Sequence, residues 1–325
     1  MPSKKKTDCE YGILRKVGPG IRRLLAPNPG PFTLYGTGTF VIGKGNVAVI
    51  DPGPAIPAHI EALVRGLRNE TITHILITHT HLDHSPGCAG LKDFCDAPTY
   101  GFGPHGSGRE HRKDRVRAKI AGSQEEGADF DFTPDIEVRD GDIITGGDFV
   151  IQCLHTPGHT SNHVCYRLCE GAEEGAEDGG TLFCGDHVMG WSTTIVSPPD
   201  GDMGAYIASL ERLLEEDDRI YWPTHGDPIR DPKARIETLI HHRQRREREI
   251  VDCLHRGIDT IPEMVRDIYR ELPVAMHRAA ERSVLASIIH LIEQGMVSAP
   301  DPVSLDSRYT LAAKDSITEA SPSRK

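Results

Sequence analysis

The sequence predicts an α/β layered fold followed by a small helical module. Three observations carry this. Up to residue 87, apolar strand-like runs alternate with a segment of helical period. From 136 to 222 strand-like runs return, and after about 232 long helical patterns take over.

The stretch "FTLYGTGTFVIGKGNVAVIDPGP" (32–54) holds two apolar runs around a "GKGN" turn signal and stops at Asp51-Pro52-Gly53. "IPAHIEALVRGL" then places Ile56, Ile60, Leu63, Val64 and Leu67 at helical spacing, and the strand "ITHILIT" follows. Residues 109–119, "REHRKDRVRAK", read as a basic helical segment inside an ordered flap spanning 100–135. Next come "IEVRDGDIIT", "FVIQCLHT", "HVCYRLCE", "TLFCGD" and "RIYWPTHG", with "GAEEGAEDGG" (171–180) as a solvated hairpin tip. "MGAYIASLERLLEED" is amphipathic through Tyr206, Ile207, Leu210, Leu213 and Leu214.

Beyond it, "KARIETLIHHRQRREREIVDCLHRG" predicts one long helix ending at Gly257. "TIPEMVRDIYREL" opens on Thr260 as N-cap with Pro262 close behind, and "AMHRAAERSVLASIIHLIEQG" is a third helix. Two short strands within 296–313 complete the ingredients of a winged-helix module. The expected division is therefore a layered α/β domain over 1–232, a winged helix over 233–312 and a disordered tail over 313–325.

Composition is that of an ordinary globular chain, 38% hydrophobic and 26% charged. A net charge of −11 argues against a surface broadly adapted to nucleic acid. No apolar run approaches the roughly 20 residues that span a bilayer, and the N-terminus lacks a signal-peptide core. The eight cysteines form no C-x-x-C pair, and several lie in apolar runs, which reads as reduced thiols in a cytoplasmic protein.

The chemistry concentrates in "THILITHTHLDHSPG", where an apolar strand ends in H-x-H-x-D-H: His79, His81, Asp83 and His84. Imidazoles and a carboxylate are the ligand set of zinc, iron or manganese. Four such groups on one short loop cannot all reach a single open tetrahedral ion. His79 and His81 alternate toward one centre, and Asp83 and His84 turn toward another. His159 of "HTPGHTSNH", Asp186 of "LFCGDHV" and His225 of "YWPTHGDP" each follow a strand and a turn, converging donors on strand carboxyl ends.

With these motifs in that order, the sequence resembles the metallo-β-lactamase superfamily of binuclear hydrolases, whose fold is an αββα sandwich. The resemblance implies that His79, His81 and His159 bind a first metal, Asp83, His84 and His225 a second, and Asp186 bridges them. Asp51 matches a supporting position behind the ligands. It also implies two divalent ions, zinc first with manganese or iron as alternatives, and a metal-bridging hydroxide as nucleophile oriented by Asp83. His163 is expected to donate to an oxyanion or phosphate oxygen. "HTSNH", "HHRQRRE" and the trailing winged helix look like the branch that includes β-lactamase-like protein 2, which implies an endoribonuclease-like action on single-stranded RNA. The alternative is a thioester or lactone hydrolase of the glyoxalase II kind. A third, non-enzymatic reading is a nucleic-acid-binding regulator. No membrane partner and no specific duplex DNA are expected, because the third helix looks devoted to packing, over the active-site side or a subunit interface.

Other polar residues read more plainly. Thr78 and Thr80 read as local backbone caps, His74 as a packed histidine, His187 as solvent-facing and His241–His242 as exposed helix positions. Arg109, Arg112, Lys113, Arg115, Arg117 and Lys119 suit either a phosphate backbone or a solvated helix face.

Overall fold

Why the first half of the chain reads as apolar on both sides of its strands becomes plain from the layers. The structure is a computed structural model and describes residues 10–109, 127–170, 180–300 and 303–313. Arg112 to Lys119, residues 171–179 of the hairpin tip and residues 314–325 of the tail lie outside the described residues.

One sheet takes β1 (Arg15–Gly18), β2 (Ile21–Leu25), β3 (Gly38–Ile42), β4 (Asn46–Ile50), β5 (Thr71–Leu76), β6 (Thr99–Gly101) and β7 (Ile136–Glu137) in chain order. It is antiparallel through β4 and parallel from β4 to β7. The other sheet runs in the order β12-β11-β10-β9-β8. Its strands are β8 (Ile143–Thr145), β9 (Val150–His155), β10 (Val164–Glu170), β11 (Thr181–Gly185) and β12 (Ile220–Pro223), and only the β11–β12 pair is parallel. "IEVRDGDIIT" is thus split, β7 belonging to one sheet and β8 to the other.

Alternation sorts the side chains. Phe40, Ile42, Ala48 and Ile50 point between the sheets, against Ile151, Cys153, Tyr166, Phe183 and Trp222. The Phe40 ring lies 5.1 Å from that of Phe183 and 5.8 Å from that of Trp222. Val41, Val47 and Val49 point the other way, onto α1 (Pro57–Gly66) and α2 (Gly87–Lys92) through Ala62, Leu63 and Leu91. The outer face of the second sheet is covered by α3 (Met203–Leu214) and α4 (Pro232–His255), with Tyr206, Leu210, Leu213, Ile236 and Leu239 on Leu154, Cys165, Leu182 and Cys184. The layers are αββα, so strands buried on both faces lose the polar alternation of an exposed sheet. Both covering helices begin on an aspartate cap: Asp202 accepts from Ala205 N–H at 3.0 Å and Asp231 from Ala234 N–H at 3.1 Å.

Helix α4 belongs to two cores. Its first turns pack on the second sheet, and its last turns place Ile250 and Cys253 against α5 (Ile261–Ile268) and α6 (His277–Glu293). The antiparallel pair β13 (Val297–Ser298) and β14 (Thr310–Leu311) forms the wing. Helix α6 buries Val284, Leu285, Ile288 and Ile289 and packs against α3, α4 and α5. Among the described residues no helix is long and apolar enough to cross a membrane.

Candidate metal centre

The fold brings the carboxyl ends of β4, β5, β9, β11 and β12 to one rim, and the loops leaving them carry Asp51, the His79–His84 group, His159, Asp186 and His225. His79 Nε2 lies 3.0 Å and His159 Nε2 3.1 Å from His81 Nδ1, so three imidazoles meet at one point. A second trio forms beside it from Asp83, His84 and His225. His225 Nε2 is 3.1 Å from Asp83 Oδ2, and His84 Nε2 is 3.6 Å from Asp83 Oδ1. Asp186 stands between the trios, 3.4 Å from His225, 3.7 Å from His84 and 3.9 Å from His159. His81 and Asp83 are half-buried, whereas His79, His84 and His225 are buried.

Charge is divided accordingly. Burial, reinforced by neighbouring imidazoles, holds His79 well below the usual imidazole range and His81 down to about 3. Burial opposes ionisation of Asp83 and Asp186 as well, but the His84 and His225 rings outweigh it and keep both carboxyls below their ordinary range. The same carboxylates overcome burial at His84 and His225 and raise both. The first trio is therefore neutral nitrogen, whereas in the second the Asp83 carboxylate, with Asp186 beside it, faces two imidazoles that hold protons in the absence of a stronger cation.

The far side of four of the five rings is fixed. His84 Nδ1 donates to Asp51 Oδ2 at 2.9 Å, His159 Nδ1 to the Ile195 carbonyl at 2.6 Å and His225 Nδ1 to the Gly36 carbonyl at 3.2 Å. His79 Nδ1 pairs with the Thr78 hydroxyl at 3.1 Å. Each of these rings therefore aims Nε2 inward. Two central buried atoms, His84 Nε2 and Asp186 Oδ1, have no hydrogen-bond partner among the described residues. Buried polar atoms are nearly always satisfied. Neutral nitrogen and ionised oxygen converging on such orphans fit a divalent cation.

Several roles were not foreseen from sequence. Thr78 is no mere backbone cap, since its N–H and hydroxyl donate to Asp51 at 2.9 and 2.8 Å. Thr80 meets His105 Nδ1 at 3.0 Å and accepts from Asn162 Nδ2 at 3.0 Å. The Thr37 hydroxyl donates to Asp83 Oδ2 at 3.1 Å. His187 does not face solvent: it is fully buried, its ring 5.5 Å from His163 and 4.8 Å from Tyr206. A histidine flanked by "CGD" and "VMG" carries an apolar context that could have signalled this. His74 is packed as expected, stacked on Tyr100 at 5.3 Å. His163 is also fully buried. Its Nδ1 pairs with the Thr156 hydroxyl at 2.8 Å, and its ring lies 5.2 Å from that of His79. Arg109, the first residue of the basic segment, bonds Asp200 at 2.7 Å.

A layered αββα fold with a histidine–aspartate centre at its rim defines a class, and comparison with known families agrees. Residues 33–225 match the family described as "Metallo-beta-lactamase superfamily", and residues 260–301 match "Beta-lactamase associated winged helix domain". The chain belongs to the metallo-β-lactamase superfamily, carries its associated winged helix and is a metal-dependent hydrolase. Members typically hold two metal ions. "Beta-lactamase-like protein 2 homolog" of Caenorhabditis elegans is 30% identical over 298 residues, 88% of this chain and 89% of its own length. "Atrochrysone carboxyl ACP thioesterase" of Aspergillus chevalieri is 28% identical over 287 residues, 85% of this chain and 82% of its own. A metallo-beta-lactamase family protein from Thermus thermophilus shares the fold at a TM-score of 0.69 and 23% identity, covering 90% of this chain and 98% of that one.

Proposed function

We propose a binuclear hydrolase in which His79, His81 and His159 hold one divalent cation, Asp83, His84 and His225 hold a second, and Asp186 serves both. The supporting observation is the pair of donor trios with Asp186 within 3.9 Å of a nitrogen in each. Zinc suits a set this rich in imidazole, with manganese or iron as the alternatives. Cations bound there supply an activated water and polarise the scissile group.

The chain's own residues do the rest. Asp83 is the half-buried carboxylate of the centre, held by the Thr37 hydroxyl, and orients the incoming water by accepting its hydrogen bond. Asp51 keeps the His84 ring turned inward. We assign His163 a positioning role behind His79, because a ring with no exposed surface supports that better than contact with an oxyanion. The same reading takes 1–232 as the catalytic unit, 233–312 as the winged helix and 313–325 as a tail. The free thiols at Cys88, Cys153, Cys165, Cys184 and Cys253 support a reducing, cytoplasmic setting.

For substrate, we place an acyl thioester first. The loops that carry or support the donors expose apolar side chains: Leu82 at 53%, Phe130 at 66% and Phe32 at 47%. Such surfaces suit an acyl group, and a relative spanning most of the chain bears the name of a thioesterase. Single-stranded RNA is the second reading, implied by the branch resemblance of the sequence and supported by the exposed aromatic side chains Phe32 and Phe130, on which bases could stack. We expect no specific duplex DNA partner.

The test is a side-by-side assay of zinc- and manganese-loaded protein on acyl-N-acetylcysteamine thioesters, S-lactoylglutathione and fluorogenic single-stranded RNA. Thioester turnover should change by less than about twofold between roughly 50 and 200 mM salt, because no phosphate contacts are lost. Asp83→Ala should lower it by about a hundredfold or more. RNA cleavage that falls steeply with salt, with thioesters untouched, would reverse the order of the two readings.

A further inference from the structure

The loop after β11 joins the metal centre to the C-terminal module. It starts at Asp186 and includes Ile195, whose carbonyl receives His159 Nδ1–H. Thr194 is its hub, its hydroxyl 2.7 Å from the Asp186 carbonyl and 3.0 Å from that of His187. Helix α4 grips this loop from outside. Arg243, only 4% exposed, donates to the Thr194 carbonyl and lies 5.1 Å over the Tyr206 ring. The Tyr206 hydroxyl in turn donates to the His187 carbonyl at 3.1 Å. Two turns earlier on the same helix, Arg235 donates from Nε to the Met189 carbonyl at 2.8 Å and from Nη2 to the Ser192 carbonyl.

A guanidinium is costly to bury, and an apolar side chain would fill the same space more cheaply. Among the described residues Arg243 meets a carbonyl and an aromatic ring rather than a carboxylate, so its Nη2 serves the backbone of the loop while its Nε is left without a hydrogen-bond partner. The far end of α4 is rooted in the C-terminal core through Ile250 and Cys253.

We infer that Arg243, assisted by Arg235, is a positioning residue of the metal centre, coupling the seating of the C-terminal module to how tightly Asp186 and His159 hold a cation. The coupling runs through one loop: α4 fixes the Thr194 carbonyl, Thr194 fixes the Asp186 backbone, and Ile195 fixes the His159 ring. This rests on the metal reading of His159 and Asp186 given above.

The test uses the full chain and Co2+ as probe, measured by competition with a chromophoric chelator alongside thermal melting of the metal-free protein. Arg243→Met and Thr194→Val should each weaken Co2+ retention about tenfold or more, in the range seen when groups supporting metal ligands are removed. Arg243→Lys should fall between them and the parent. Arg245→Gln, on the exposed side of the same helix, should match the parent. A purely structural arginine would lower the melting temperature and leave chelator competition unmoved, and that result overturns the inference. Should Arg243→Met fail to fold, Arg243→Lys and Thr194→Val decide by the same criterion. Absence of Co2+ binding by the parent would overturn the metal reading and this inference with it. Equal binding by parent and variants overturns the inference alone.

Discussion

Asp51 sits at φ 49°, a left-handed conformation that costs a residue with a β-carbon roughly 1 kcal/mol or more. It is held there by what it gathers: two donors from Thr78, His84 Nδ1–H and, at 3.3 Å, the Thr224 hydroxyl. Beside it, His59 is 1% exposed, shares a hydrogen bond with Thr39 at 2.9 Å and is pushed down to about 4, chiefly by burial. The unfolded chain gains a proton at this residue near pH 6.5, whereas the folded chain resists it until about 4. Stability contributed by keeping His59 neutral is thus present above pH 6.5 and drains as pH falls toward 4, by up to about 3 kcal/mol. Urea unfolding of the metal-free protein at pH 7.5 and pH 5 should show a smaller pH effect for His59→Gln than for the parent. Equal pH effects in both would contradict this. The residues that meet in the two donor trios were legible in the sequence because histidine and aspartate carry the chemistry themselves. Their supports were not: threonine hydroxyls at 37 and 78 and carbonyls at Gly36 and Ile195 leave no mark until the chain is folded.

The elements owe their exact approach to a few backbone contacts. Gly158, at φ +146°, precedes His159 and lies against α3, where a Cβ would stand 2.3 Å from Tyr206 Cα. Its carbonyl accepts from Asp202 N–H at 2.9 Å, tying the ligand loop to the helix start. Gly158→Ala should cost about 1–3 kcal/mol by overpacking and weaken metal retention by displacing His159. A denaturant midpoint and metal content equal to those of the parent would contradict the close approach. At this scale the sequence reading worked where period and length agree, as for the helices at 57–66, 203–214 and 232–255. It failed at "IEVRDGDIIT", whose turn at Gly141 is visible but whose passage between sheets has no local signature. The clamp of Arg235 and Arg243 was invisible for a related reason. Helical spacing marks them as part of α4 and says nothing of the carbonyls they meet.

For the whole molecule, two packed sheets deliver donors from strands far apart in the chain to one rim, and α4 ties that rim to the C-terminal module. The overall charge of −11 argues against a surface broadly adapted to a polyanion. The fold class, the order of motifs and the trailing winged helix were all readable from sequence, whereas periodicity does not single out the exposed apolar side chains of the rim, Leu82, Phe130 and Phe32. Elemental analysis of the purified chain, followed by chelation and re-addition of zinc, should find about two divalent ions per chain, with hydrolysis lost on removal and restored on return. A chain that carries no divalent metal and hydrolyses its substrate at full rate in excess chelator would contradict it.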